Sequence, residues 1–120
     1  MENELLKKLF DFSVRVIKFL STLPNSPETS IIRYQLTKSS TSSGANYEEA
    51  QAGSSRPDFV NKVRISLREM RESNYWLRIV SSLDFEKINS EEIKWLIIES
   101  NELKLILGSI VQRTSKLTKN

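Results

Sequence analysis

The chain has 120 residues, 38% of them hydrophobic and 28% charged. That size and balance are expected of one water-soluble domain, 1–120, able to bury roughly two thirds of its unfolded surface around one core. It contains neither histidine nor cysteine. Disulfides, thiol nucleophiles, imidazole bases and nearly all zinc or transition-metal sites are thereby removed, and with them Ser/His/Asp and Cys/His catalysis. A net charge of +3 is compatible with nucleic acid and typical also of proteins that bind none.

The chain opens Met1-Glu2-Asn3-Glu4, acidic where a secretory leader would be basic. No uninterrupted apolar run approaches the ~18 residues of a membrane span, so the expected location is cytoplasmic, with no membrane partner. A first helix is predicted over residues 4–20. At 100° per residue its apolar side chains, Leu5, Leu6, Leu9, Phe10, Phe12, Val16, Ile17, Phe19 and Leu20, fall within half the circumference, and only Val14 is misplaced. A basic amphipathic helix of this kind can also lie on a membrane surface. Here a bundle helix is the preferred reading, because three further helices need a partner.

Leu23-Pro24-Asn25-Ser26-Pro27 breaks the chain, and Ser26, Pro27 and Glu28 supply a hydroxyl cap, a first-turn proline and a first-turn acid. A second helix is expected over 27–53, ended by Gly53. Its centre, from Lys38 to Ala45, has the composition of a flexible linker. Against that, Ile32, Leu36, Ser39, Ser43, Asn46, Tyr47 and Ala50 recur every three or four residues. Small residues on such a stripe let a neighbouring backbone come close, and a long loose middle is uncommon in a compact domain. Helix is preferred.

A third helix is expected over 57–81, with Phe59, Val60, Val63, Leu67, Met70 and Leu77 as its core stripe and Leu83-Asp84-Phe85 in the turn beyond. Asn89 and Glu92 have the spacing of a capping box at the start of a fourth helix, 90–115, whose core face carries Ile93, Leu96, Ile97, Ser100, Leu103, Leu107, Ile110 and Val111. Four helices of similar length with short connections predict an all-α, antiparallel, up-down-up-down four-helix bundle.

No catalytic, cofactor or metal residues are predicted. The acids Glu48-Glu49 and Glu91-Glu92 are adjacent in sequence, so they point about 100° apart on a helix, and the glycines are too isolated to cradle a phosphate. A non-enzyme is therefore expected. Two constellations remain. On the third helix Arg64, Arg68, Arg71, Tyr75 and Arg78 share one stripe. Guanidinium forks match phosphate oxygens and a tyrosine among them can stack on a base. For the stripe taken alone a solvated face, with Arg68 paired to Glu72, is the preferred reading, ahead of a nucleic-acid surface and of an interface. The second constellation is surplus apolar surface. Ile65, Trp76 and Ile79 on the third helix, and Trp95, Ile98 and Leu105 on the fourth, lie off the core stripes. A second apolar face must be covered, so self-association is preferred over tryptophans half-buried at the corners of a monomer.

Asn46-Tyr47-Glu48-Glu49-Ala50, Asp58-Phe59-Val60-Asn61-Lys62, Ile65-Ser66-Leu67-Arg68-Glu69 and Glu72-Ser73-Asn74-Tyr75-Trp76-Leu77, in that order, resemble the 23S ribosomal RNA intervening-sequence protein family. The resemblance implies that the serine-rich second segment is helical. It also implies a ring-like homopentamer and a kinship with the accessory proteins of diversity-generating retroelements, which bind nucleic acid through a basic surface. The expected partners are thus further copies of the chain and RNA or DNA, with a protein-interaction scaffold as the alternative.

Overall fold

A computed structural model describes residues 2–53 and 55–118. It holds four helices: α1 (Glu2–Leu20), α2 (Pro27–Ala50), α3 (Arg56–Leu83) and α4 (Ser90–Thr118). They pack in the cyclic order α1-α2-α3-α4-α1 into a body of 53 × 22 × 21 Å. Among the described residues none forms a strand, and no helix is long and apolar enough to cross a membrane.

Each helix sends one stripe of alternating three- and four-residue steps to the centre, which is what helices crossing at a shallow angle require. Leu9, Phe12 and Val16 on α1, Leu36 on α2, Val63, Met70 and Leu77 on α3, and Leu96, Leu103 and Leu107 on α4 are fully buried. The linker-like centre of α2 is helical throughout, and its stripe is completed by serines. Ser39, Ser40 and Ser43 have no exposed surface. Ser39 Oγ lies 2.8 Å from Ser73 Oγ, and Ser43 and Ser66 each donate a hydroxyl to the other's carbonyl, at 2.8 and 2.7 Å. Ser13 Oγ donates to Ser40 O on the α1 side. Side chains this short bring the backbones together while every hydroxyl stays satisfied; among the described residues no buried side-chain polar atom lacks a partner. Residue numbers rise along α2 as they fall along α3 in these pairs.

The helix ends are set by local chemistry. Ser26 Oγ accepts from the Thr29 N–H while Thr29 Oγ1 accepts from the Ser26 N–H, a reciprocal cap. Arg33 donates to the carbonyls of Leu20 and Leu23 and ties the α1–α2 turn to α2, a lock no sequence pattern announced. Several expected ends differ: α1 begins at Glu2 and not at residue 4, α3 at Arg56 and not at 57, and α4 runs to Thr118, past the expected 115. α2 stops at Ala50 with Gln51 as its cap, and Gly53, at φ 87°, sits in the connection beyond. α3 runs through Leu83, past the expected stop near 81, and ends on Asp84, which adopts the left-handed conformation that a short polar side chain tolerates. At α4, Asn89 Oδ1 accepts from the Glu92 N–H, but the Glu92 carboxylate turns away to Arg15, so the expected box is only half made.

Candidate functional site

The arginine stripe of α3 divides in two once α4 is in place. Arg64, Arg68 and Arg71 line a groove of about 290 Å³ along the α3–α4 seam, with Leu67 and Val111 as apolar lining and Asn61 at one end. Arg64 Nη2 donates to Ser115 Oγ at 2.7 Å across the groove. Arg68 and Arg71 have neither a hydrogen bond nor an ion pair within the described residues. The expected Arg68–Glu72 pair is not among the ion pairs of the described residues; Glu72 Oε2 accepts from Trp76 Nε1 at 3.2 Å. Arg78 lies outside this groove. Its Nε donates to Asn74 Oδ1 at 2.9 Å and its guanidinium stands 5.7 Å from the ring of Tyr75, over a separate depression near the end of α3.

The partition of charge on α4 makes the seam basic. Ile97, Lys104 and Val111 recur every seven residues. Asn74 donates to the Ile97 carbonyl, and Val111 lines the groove, so half-buried Lys104 falls on the line facing α3. Glu92 and Glu99 form a different line, turned to α1, where Glu92 meets Arg15. Three guanidinium groups therefore line one seam with no carboxylate among its lining residues, and Lys104 lies on the α4 line that faces it. Among the described residues no three acidic or other metal-ligating side chains cluster. Guanidinium groups along such a groove match the geometry of phosphate or carboxylate oxygens.

The surplus apolar residues also separate into kinds. Ile65, Trp76 and Ile79 are half-buried, and Trp76 and Ile79 pack against the core of their own chain. Trp95 is 37% exposed and lies beneath the guanidinium of Arg15, 3.5 Å from its ring centroid. Ile98 and Leu105 stand clear of the bundle, 66% and 68% exposed. Sequence reasoning missed a second apolar surface. Phe10 and Ile17, assigned to the core arc of the first helix, are 67% and 45% exposed. With Leu6 and the misplaced Val14 they line a groove of about 340 Å³ whose other wall is Thr41, Gly44 and Ala45 of α2. The signal was the width of the apolar arc: half a circumference exceeds the ~100° stripe that a bundle helix needs.

The description 23S rRNA-intervening sequence protein is that of a family whose model matches residues 1–109. The chain belongs to this family. A protein of unknown function from the S23 ribosomal protein family of Bacteroides thetaiotaomicron is 34% identical, with a TM-score of 0.78 over 89% of this chain and 97% of that one. No curated protein matches.

In this intervening-sequence family chain one contact clamps α1 to α4. Arg15 Nε and Nη2 donate to Glu92 Oε2 and Oε1 at 2.9 and 2.8 Å while the guanidinium covers Trp95. The hydrogen bonds from Arg15 hold the Glu92 carboxyl below its ordinary value, against the opposing effect of burial. A depressed carboxyl contributes stability that is present above its unfolded pKa and is lost as pH falls through the folded one. Glu92→Gln is therefore expected to cost about 1 kcal/mol at neutral pH and to reduce the acid sensitivity of thermal unfolding as pH falls through and below the ordinary glutamate range, read by circular dichroism. An unchanged pH profile would show that the clamp adds nothing.

Proposed function

We propose that this chain is a non-enzymatic, homo-oligomeric protein, an antiparallel up-down-up-down bundle that binds RNA or DNA through phosphate contacts in the α3–α4 groove. The observation that carries the reading is the convergence of Arg64, Arg68 and Arg71 on one groove, two of them without a hydrogen-bond or ion-pair partner among the described residues. The family's description, which associates it with intervening sequences of 23S rRNA, supports a nucleic-acid ligand. The exposed Ile98, Leu105 and Phe10 support self-association, and the pentameric ring implied by the family resemblance is the assembly proposed. The absence of histidine and cysteine supports the non-enzymatic reading.

The same exposed apolar surface favours one alternative, a protein-interaction scaffold whose arginines are merely solvated. Fluorescence anisotropy with labelled single-stranded RNA and duplex DNA across a salt series separates the two. Phosphate contact requires log affinity to fall steeply and linearly with log salt. A scaffold gives no salt-dependent binding to either.

A further inference from the structure

We infer that the α3–α4 seam takes its nucleic acid as a single strand, with one base turned out of the strand and stacked on Tyr75. This rests on the phosphate contacts proposed above and names the form of ligand they hold. Tyr75 belongs neither to the core nor to the groove lining, and it is 51% exposed. It stands eleven residues after Arg64, three helical turns and about 20°, and so lies on the same line of α3 as Arg64, Arg68 and Arg71. A strand whose phosphates follow those arginines is led over the ring. From Arg64 to Tyr75 the run is about 16 Å, the length of about five stacked nucleotides at about 3.4 Å each.

The ring is braced for a flat partner. Trp76 meets it in a T-shaped contact, with centroids 5.7 Å apart and planes at 76°. The Arg78 guanidinium stands 5.7 Å from its centroid, within reach of a cation–π contact. That guanidinium is fixed in turn, because its Nε donates to Asn74 Oδ1 and Asn74 Nδ2 donates to Ser100 Oγ in the buried seam. The tyrosine is thus held from the bundle interior, and a base that stacks on it has little left to order. Beside the ring lies a depression of about 350 Å³ lined also by Arg78, Ile79, Ser82 and Leu83. Ile79 and Leu83 offer apolar surface to the face of a base, and none of the lining residues is a carboxylate that would repel phosphate. A duplex cannot use this feature: its base faces are covered by neighbouring pairs, and only its phosphates reach the arginines. Every base has a π-face, so the ring selects strand form and not sequence.

Two variants at this exposed position test the stacking: Tyr75→Leu keeps apolar bulk and removes the π-face, and Tyr75→Phe keeps the ring. The probes are labelled oligothymidine of about 16 nucleotides, the upper end of a single-strand site, duplex DNA of that length, and an abasic strand of that length. By fluorescence anisotropy Tyr75→Leu is expected to weaken oligothymidine binding about tenfold or more, and Tyr75→Phe to leave it unchanged. The slope of log affinity against log salt stays the same in both variants, since no phosphate contact is lost. Duplex and abasic strand are expected to bind the wild type and the leucine variant alike. No loss of oligothymidine affinity in the leucine variant, an equal loss for the duplex, or a phenylalanine variant as weak as the leucine one overturns the stacking; the wild-type salt slope then still reports the phosphate contacts. A wild-type chain that binds none of the three probes overturns both. Circular dichroism confirms that each variant keeps its helices.

Discussion

Ser43→Leu is expected to be among the most damaging single changes in the protein, lowering stability by about 3 kcal/mol or more, whereas Ser43→Ala costs only about 1 kcal/mol. Ser43 is fully buried where α2 and α3 approach, and its hydroxyl and carbonyl exchange hydrogen bonds with the carbonyl and hydroxyl of Ser66. Alanine removes one of those bonds but leaves the backbones where they are, since the Ser66 hydroxyl still reaches the Ser43 carbonyl. Leucine adds branched carbon along the line the bonds occupy, and the helices must part or the side chain must leave its rotamer. Separation would also strain the Ser39–Ser73 contact one turn away. Thermal unfolding of both variants at equal protein concentration checks this, with a difference between them of about 10 °C expected for a chain of this length. A leucine variant as stable as the alanine variant would mean the serines are not setting the helix separation.

This contact also shows what could be read in the chain beforehand. Three- and four-residue spacing placed Ser39 and Ser43 on the buried stripe of α2, although hydrophobicity alone describes that segment as a linker. Period survives where polarity misleads, because side-chain direction depends on backbone geometry and not on what the side chain is. Width is less legible. Leu5, Leu9, Phe12, Val16 and Phe19 are buried as their spacing requires, yet Phe10 and Ile17, on the same apolar arc, are not. How far round a helix its neighbours reach depends on where α2 and α4 stand, which no local pattern contains. The arginine stripe has the same limit. Its five members share a line on α3, but α4 decides that Arg64, Arg68 and Arg71 enter a groove while Arg78 is taken up by Asn74. At Asn89 and Glu92 a local signal was overruled. A carboxylate offered two charge-assisted bonds by Arg15 gains more there than from a single neutral backbone N–H.

The largest effect on ligand binding is expected from Arg64→Ala, Arg68→Ala and Arg71→Ala combined. If the three guanidinium groups contact three phosphates, the slope of log affinity against log salt falls by about 2 to 3. Affinity near 0.1 M salt drops on the order of 100-fold by the same relation. Folding is expected to hold, because these are exposed helix positions and alanine is the best helix former. Arg78→Ala is the internal control. Arg78 is an arginine of the same helix and the same stripe, but it lies outside the groove and its Nε is engaged by Asn74, so its removal is expected to change the slope by less than one contact. Lys104→Ala should fall between, since Lys104 is half-buried on the α3-facing line of α4 but is not one of the groove's lining residues. Anisotropy titrations at four or more salt concentrations give every slope directly. Equal losses from the Arg78 variant and from each groove arginine removed singly would point to a diffuse basic surface. A slope untouched by the triple variant would remove the α3–α4 groove as the binding site.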